Sequence, residues 1–174
     1  MASIDLKKIY RDHYSAKPEP RLVEVPSRPF LMIDGSGDPN TSETYRNAIL
    51  ALYPLAYGIR KELKDRTGDA YTVMPLEGLW WVEDMELFSV EDKSDWQWTA
   101  MICQPDVVTE QLLADIAPIV VEKKKLESGH LVRLADYDEG KAAQILHLGS
   151  YSEEAPTIQR LHQFIEDEGY ELRG

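Results

Sequence analysis

The chain has 174 residues, enough for one compact domain or for two small half-domains that share a core. It carries 31 Asp and Glu against 19 Lys and Arg, and the formal charge of -12 repels phosphate backbones and anionic lipid headgroups. We therefore expect neither nucleic acid nor membrane as a partner, whereas a cationic molecule would be attracted. The acidic surface also fits a second interpretation, in which it serves solubility alone.

Cysteine usage and the N-terminal sequence indicate a cytoplasmic protein. Cys103 is the only cysteine, so no intrachain disulfide can form and a zinc site built from several cysteines is excluded. Residues 1–14 carry charge throughout, and no apolar run approaches the roughly 20 residues needed to span a bilayer. The sequence also has no glycine-rich phosphate loop and no His-Glu-x-x-His motif, so we predict neither a cofactor nor a metal.

Turn residues and apolar spacing in the first half of the chain predict a strand followed by a long helix. Several prolines make residues 1–27 an extended lead-in, so the folded domain is expected at 28–174. A short strand is predicted at 30–33. The helix is expected to begin at a cap formed by Asn40 and to run to about Lys64.

The second half of the chain predicts a long hairpin and a further set of strands and helices. The hairpin combines an apolar run over 71–82, bent at a bulge at Gly78, with an alternating segment over 96–103. The later elements are, in chain order, a helix capped by Thr109, strands over 131–134 and 142–148, and a helix capped by Ser152 and ended by Gly169.

Two stretches repeat one pattern, a strand followed by Gly-Ser at 35–36 or at 149–150 and then by a polar turn and an amphipathic helix. The first strand of the hairpin ends in Leu-Trp-Trp-Val-Glu-Asp at 79–84, and the segment 140–151 leads into the last helix. This order of elements and motifs resembles the GyrI-like small-molecule-binding superfamily. The resemblance covers residues 28–174.

The resemblance implies an α+β fold of tandem strand-helix-strand-strand units. These units form a pseudo-two-fold antiparallel sheet with helices packed on one face and a central ligand cleft. Members of the superfamily usually continue past the last helix into a strand with a Glu-x-x-Tyr or Glu-x-Tyr pattern. This sequence ends at Gly174 without such a strand after the last helix, so the last strands of the second unit are expected to be lacking, through truncation or nicking, or to come from elsewhere.

Aromatic side chains supply the candidate ligand site, because aromatic rings stack on planar molecules and attract cations. Trp80 and Trp81 are adjacent in a strand and must face opposite ways, so at most one of them faces a cleft. Tyr53 and Tyr57 lie four residues apart on a helix, where they either line a groove together or simply pack. The predicted ligand-binding residues are these four together with Trp98 and Glu77. Each Trp also fits a place in the core.

A hydrolytic mechanism is the alternative to passive binding. Glu83 held near Tyr151 or His147 could polarise a water molecule against a strained, electrophilic ligand. The resemblance implies this activity as an option, because some stand-alone GyrI-like proteins are reported as hydrolases of cyclopropane-bearing, DNA-alkylating natural products. His147 also fits a core histidine whose ring nitrogens are hydrogen-bonded, and Glu83 also fits the start of an acidic loop.

The predicted function is therefore the binding of bulky aromatic or cationic xenobiotics in an aromatic cleft, with hydrolysis in the same cleft as the alternative. Many relatives carry this module fused to a helix-turn-helix domain, but the 27 proline-rich residues before Arg28 are too few for one. A further alternative is a protein-interaction module such as a gyrase modulator, because the superfamily is named for an inhibitor of DNA gyrase. The oligomeric state stays open.

Overall fold

We describe the protein from a computed structural model, which describes residues 3–173. The chain has the expected α+β class, with antiparallel sheets and helices packed against them. Its elements are β1 (Ser3–Ile4), α1 (Leu6–Ile9), α2 (Arg11–Tyr14), β2 (Arg21–Val25), β3 (Arg28–Ser36), α3 (Glu43–Thr67), β4 (Ala70–Tyr71), β5 (Leu76–Trp81), β6 (Gln97–Cys103), α4 (Glu110–Lys124), β7 (Arg133–Tyr137), β8 (Gly140–Gln144) and α5 (Ala155–Asp167). No helix within 3–173 is long and apolar enough to cross a bilayer.

The chain divides into two compact units. The first unit contains the N-terminal residues up to Leu6 and the segment Arg28–Tyr137. The second unit contains Lys7–Ser27 and residues from 138 onwards. The segment expected to be an extended lead-in therefore contributes β2 to the second unit, where β2 pairs antiparallel with β8.

The first unit is built on a four-stranded antiparallel sheet in the order β5-β6-β3-β7. The predicted hairpin is confirmed, because β5 and β6 pair antiparallel with Trp80 opposite Trp98. Strand β3 is longer than the predicted 30–33 and extends through Gly35 and Ser36. Helix α3 covers one face of this sheet, and the interior between them is formed by fully buried side chains such as Leu52.

Helix α3 begins later than the sequence predicted, and the reason is local hydrogen bonding. Asp38 accepts hydrogen bonds from the backbone and side-chain amides of Asn40, so Asn40 belongs to the preceding turn and its prediction as the helix cap is wrong. The cap is Ser42, whose hydroxyl accepts from the amide of Tyr45 at 3.2 Å. At the other end, Gly68 adopts a left-handed φ of 79° and its N–H donates to Lys64, which terminates the helix.

Two further predictions of local structure are wrong. Gly78 forms no bulge but lies in the regular ladder opposite Ala100. Ser150 forms a capping box with Glu153 around a short 3-10 turn, and α5 begins after Glu154 without a side-chain cap, so the prediction of Ser152 as its cap is wrong. A reciprocal pair of hydrogen bonds satisfies two amides at once, which Ser152 alone could not do.

Candidate functional site

The aromatic residues of the first unit lie on two different faces of its sheet. Trp80 and Trp98 both contact Tyr45 of α3, with ring centroids 5.5 and 5.0 Å from the tyrosine ring. They therefore lie on the helix-covered face. Because side chains alternate along a strand, Trp81 lies on the opposite face.

The helix-facing tryptophans pack onto glycines. An ideal Cβ built on Gly35 would lie 2.2 Å from Cη2 of Trp98, and one built on Gly78 would lie 2.8 Å from Cζ2 of Trp80. Trp98 is fully buried, and among residues 3–173 its indole Nε1 has no hydrogen-bond partner. The Trp98 ring therefore belongs to the interior between the sheet and α3, whereas Trp80 is half-buried.

The connection between β5 and β6 folds around Trp96. The indole Nε1 of Trp96 donates to the carbonyl of Ser89 at 2.9 Å, and the ring of Phe88 stacks on the indole with centroids 5.0 Å apart. Trp80 contacts the same indole at 5.5 Å. The N–H of Gly37 donates to the carbonyl of Trp96 at 2.8 Å, which fixes this connection against the end of β3. Trp96 thus joins the loop to the aromatic residues of the sheet.

A cavity of about 780 Å³ opens between this loop and the end of the sheet. Its described lining contains four carboxylates and no Lys, Arg or His, so its wall is strongly acidic. The lining residues are Ser36, Gly37, Val82, Glu83, Asp84, Leu87, Ser89, Asp92, Ser94, Asp95, Trp96 and Gln97. Hydrogen bonds from the backbone and the hydroxyl of Ser94 hold the pKa of Asp92 below its ordinary value, so this carboxylate stays charged at neutral pH.

The sheet face opposite α3 carries a second set of polar and aromatic groups. Glu77 and Trp81 are half-buried on this side of β5, and Trp81 is paired across the ladder with Gln97 of the cavity wall. Asp34 of β3 accepts a hydrogen bond from the Thr99 hydroxyl at 2.7 Å and forms an ion pair with Arg133 at 2.8 Å. Partial burial raises the pKa of Asp34, but the hydroxyl and the guanidinium outweigh it and leave this pKa below its ordinary value.

The two candidate tyrosines of α3 have different environments. The hydroxyl of Tyr53 accepts a hydrogen bond from the amide of Leu76 at 3.1 Å, which ties the helix to the first residue of β5. Tyr57 is 57% exposed. The structure thus places Tyr53 in a supporting contact and leaves Tyr57 open to solvent.

The candidate catalytic residues belong to different units. Glu83 is exposed at the cavity wall of the first unit, whereas His147 and Tyr151 are in the second. Both ring nitrogens of His147 are engaged within its own unit, Nδ1 with the Thr157 hydroxyl and Nε2 with the carbonyl of Ser150, each at 2.9 Å. Tyr151 is 80% exposed. His147 therefore has a local role in holding the turn before α5.

The sequence offers Trp96 among the aromatic residues available for a ligand site, but the predicted ligand-binding and catalytic residues include neither Trp96 nor the carboxylates of Asp84, Asp92 and Asp95. The available signal was the coincidence of an acidic loop with a tryptophan at its end, which the sequence shows at 83–96. Within residues 3–173, no group of three or more His, Cys, Asp or Glu side chains is placed to hold a metal ion. The cavity carboxylates are therefore considered as partners for an organic ligand.

The fold and the cavity define an α+β ligand-binding domain, and comparison with known proteins gives its family. The GyrI-like small-molecule-binding domain matches residues 18–174, and the chain belongs to this family. A comparison with functionally curated proteins gave no match.

Three solved structures from Listeria innocua are similar along almost the whole chain. An uncharacterized conserved protein is 38% identical with a TM-score of 0.87, and the match covers 95% of this chain and 82% of that one. A structure described as a hydrolase is 35% identical with a TM-score of 0.81, covering 95% and 81%. Another structure described as a hydrolase is 36% identical with a TM-score of 0.85, covering 97% and 82%.

Proposed function

We propose that the chain binds bulky aromatic or cationic small molecules, of the kind found among xenobiotics, in the cavity beside Trp96. The observation that carries the proposal is the composition of the cavity wall, which combines an indole with four carboxylates and no basic residue among its described lining. Aromatic faces and carboxylates both favour positive charge. The cavity volume of about 780 Å³ lies within the range of sites for drug-sized ligands, roughly 300–1,000 Å³.

The residues around the cavity have complementary roles in this proposal. Trp96 contributes an indole to the wall, and Trp81 is paired across the ladder with Gln97 of the same wall. Glu83 and Asp84 supply negative charge at the end of β5. Trp80 packs against Trp96 with ring centroids 5.5 Å apart and so supports this wall from the helix side of the sheet.

A second candidate function is hydrolysis in the same cavity. It is favoured by the position of Glu83 at the wall and by the description of two similar structures as hydrolases. In this mechanism the Glu83 carboxylate accepts a proton from a water molecule while the water oxygen bonds to a strained ring carbon of the ligand. The electron pair of the broken carbon–carbon bond remains on the ligand, which is then protonated. The product is heavier than the ligand by one water.

The test is a titration of the protein with planar cations and with electrophilic, cyclopropane-bearing polycyclic compounds. Tryptophan fluorescence reports binding, and mass spectrometry of each mixture reports turnover. Saturable quenching with unchanged ligand supports binding alone, whereas a hydrated product establishes hydrolysis. The absence of quenching by every compound would contradict both functions.

Matched variants separate catalysis by Glu83 from a general effect of charge. Glu83→Gln and Asp84→Asn each remove one carboxylate from the same wall, and the Asn amide oxygen can still accept the hydrogen bond that Asp84 receives from Glu86 N–H. If Glu83 is the general base, Glu83→Gln loses turnover by about 100-fold or more while Asp84→Asn keeps most of it. Equal losses in the two variants would contradict the assignment.

A further inference from the structure

One face of the Trp96 indole is occupied by a cation from the chain itself. The ammonium Nζ of Lys93 lies over this ring, 4.7 Å from its centroid. Phe88 stacks on the same indole at an interplanar angle of 16°, and the Trp80 ring contacts it with centroids 5.5 Å apart. Trp96 is only 5% exposed although it lines an open cavity. Trp96 therefore borders the cavity while the Lys93 ammonium covers part of its ring.

The charge around this ring suits a cation. Asp92 and Asp95 lie within two residues of Lys93 in the sequence. Both belong to the cavity wall, as do Glu83 and Asp84. An ammonium group over a tryptophan face is attracted by the ring quadrupole, and tryptophan is the strongest of the aromatic side chains in this respect. A ligand cation and the Lys93 ammonium would make the same contact and cannot make it together.

We infer that the Trp96 face is the cation subsite of the cavity and that Lys93 closes it in the unliganded protein as an internal competitor. This inference rests on the proposed binding function, which it makes specific. A ligand with a permanent positive charge displaces the Lys93 ammonium from Trp96, and a neutral planar ligand leaves it in place. Lys93 thereby lowers affinity for cations selectively.

The experiment compares N-methylacridinium, a permanent cation, with acridine, which is neutral at pH 8. Calorimetry gives the affinity of each for the wild-type protein and for Lys93→Gln. Because the displaced contact is partly exposed to solvent, its removal should raise the affinity for N-methylacridinium about two- to five-fold. The affinity for acridine should stay the same, and Lys93→Arg should behave like the wild type because a guanidinium also packs on an indole.

A double-mutant cycle distinguishes contact with Trp96 from the loss of a positive charge. If Lys93 competes by covering the indole, the gain from Lys93→Gln disappears in a Trp96→Leu background, which has no aromatic ring at this position, whereas a general charge effect persists there. An NMR measurement on the wild type needs no variant. The ε-methylene protons of Lys93 should be shifted upfield by the indole ring and should return toward their ordinary position when N-methylacridinium is added.

The outcomes separate the inference from the function on which it rests. N-methylacridinium could bind the wild type while Lys93→Gln leaves its affinity unchanged and the Lys93 resonances do not shift. In that case the inference is overturned and the binding function stands. The same holds if the gain survives in the Trp96→Leu background. If neither probe binds the wild type or Lys93→Gln, the proposed function itself is overturned, and the inference with it.

Discussion

Replacing Gly35 by Ala tests the packing of the Trp98 ring against β3. The new Cβ would lie 2.2 Å from Cη2 of Trp98, whereas ordinary contacts begin at 3.4 Å, so the indole must move by about 1.2 Å (3.4 minus 2.2). Trp98 is fully buried and packed against Tyr45, so it has no free space to enter. Overpacking of this kind costs about 1–3 kcal/mol, and we expect a value in the upper half of that range.

Urea denaturation and thermal unfolding measure this effect. A loss of about 2–3 kcal/mol in a chain of this size lowers Tm by about 4–12 °C. Ser36→Ala, at the exposed neighbouring position, should change stability by less than about 0.5 kcal/mol and serves as the control. In a Trp98→Phe background the atoms that clash are absent, so Gly35→Ala should cost much less there. An equal loss in both backgrounds would refute the reasoning.

Two other predictions concern polar groups that the first unit holds in place. Thr99→Val removes the hydroxyl that donates to Asp34. Because the pKa of Asp34 is lowered in the folded protein, its carboxylate stabilises the fold at pH values above the ordinary pKa of 3.8, and this stabilisation is lost as the pH falls through the folded-state pKa. The variant should raise the pKa of Asp34 and shift acid unfolding to higher pH, as followed by NMR titration and circular dichroism; an unchanged profile would contradict the role of the hydroxyl. Tyr71→Phe leaves the buried Gln104 Oε1 without its 3.2 Å donor and should cost about 1–3 kcal/mol in urea unfolding, whereas a neutral result would mean that Gln104 finds another partner.

The elements that could be predicted from sequence are those with strong periodicity. The alternating segment 96–103 became β6, and the amphipathic run before Lys64 became α3, because burial of one face determines both patterns. Helix and strand ends were harder to predict. The choice between Asn40 and Ser42 as the cap depends on which residue the preceding turn uses, and that turn is fixed by hydrogen bonds to Asp38 rather than by composition.

The candidate site was only partly predictable for a related reason. Glu83 and the Trp-Trp pair stand out in the sequence because they end a strand. The cavity wall, however, is completed by a loop without periodicity, in which Trp96 turns back to bond the carbonyl of Ser89. Contacts such as that between Lys93 and Trp96 arise from this folding of the loop, and residue spacing alone does not reveal them.

The packing of Trp80 over Gly78 has a consequence for how the specificity of this protein can change. Ring and glycine lie two positions apart on one strand, and a side chain added at one occupies the volume of the other. A single substitution that adds a side chain at position 78 destabilises the fold by overpacking, and one that replaces Trp80 by a smaller residue destabilises it by leaving a void. Variation at positions 78 and 80 is therefore expected to proceed by paired exchanges that conserve the summed side-chain volume. Libraries designed to alter ligand choice should randomise these two codons together.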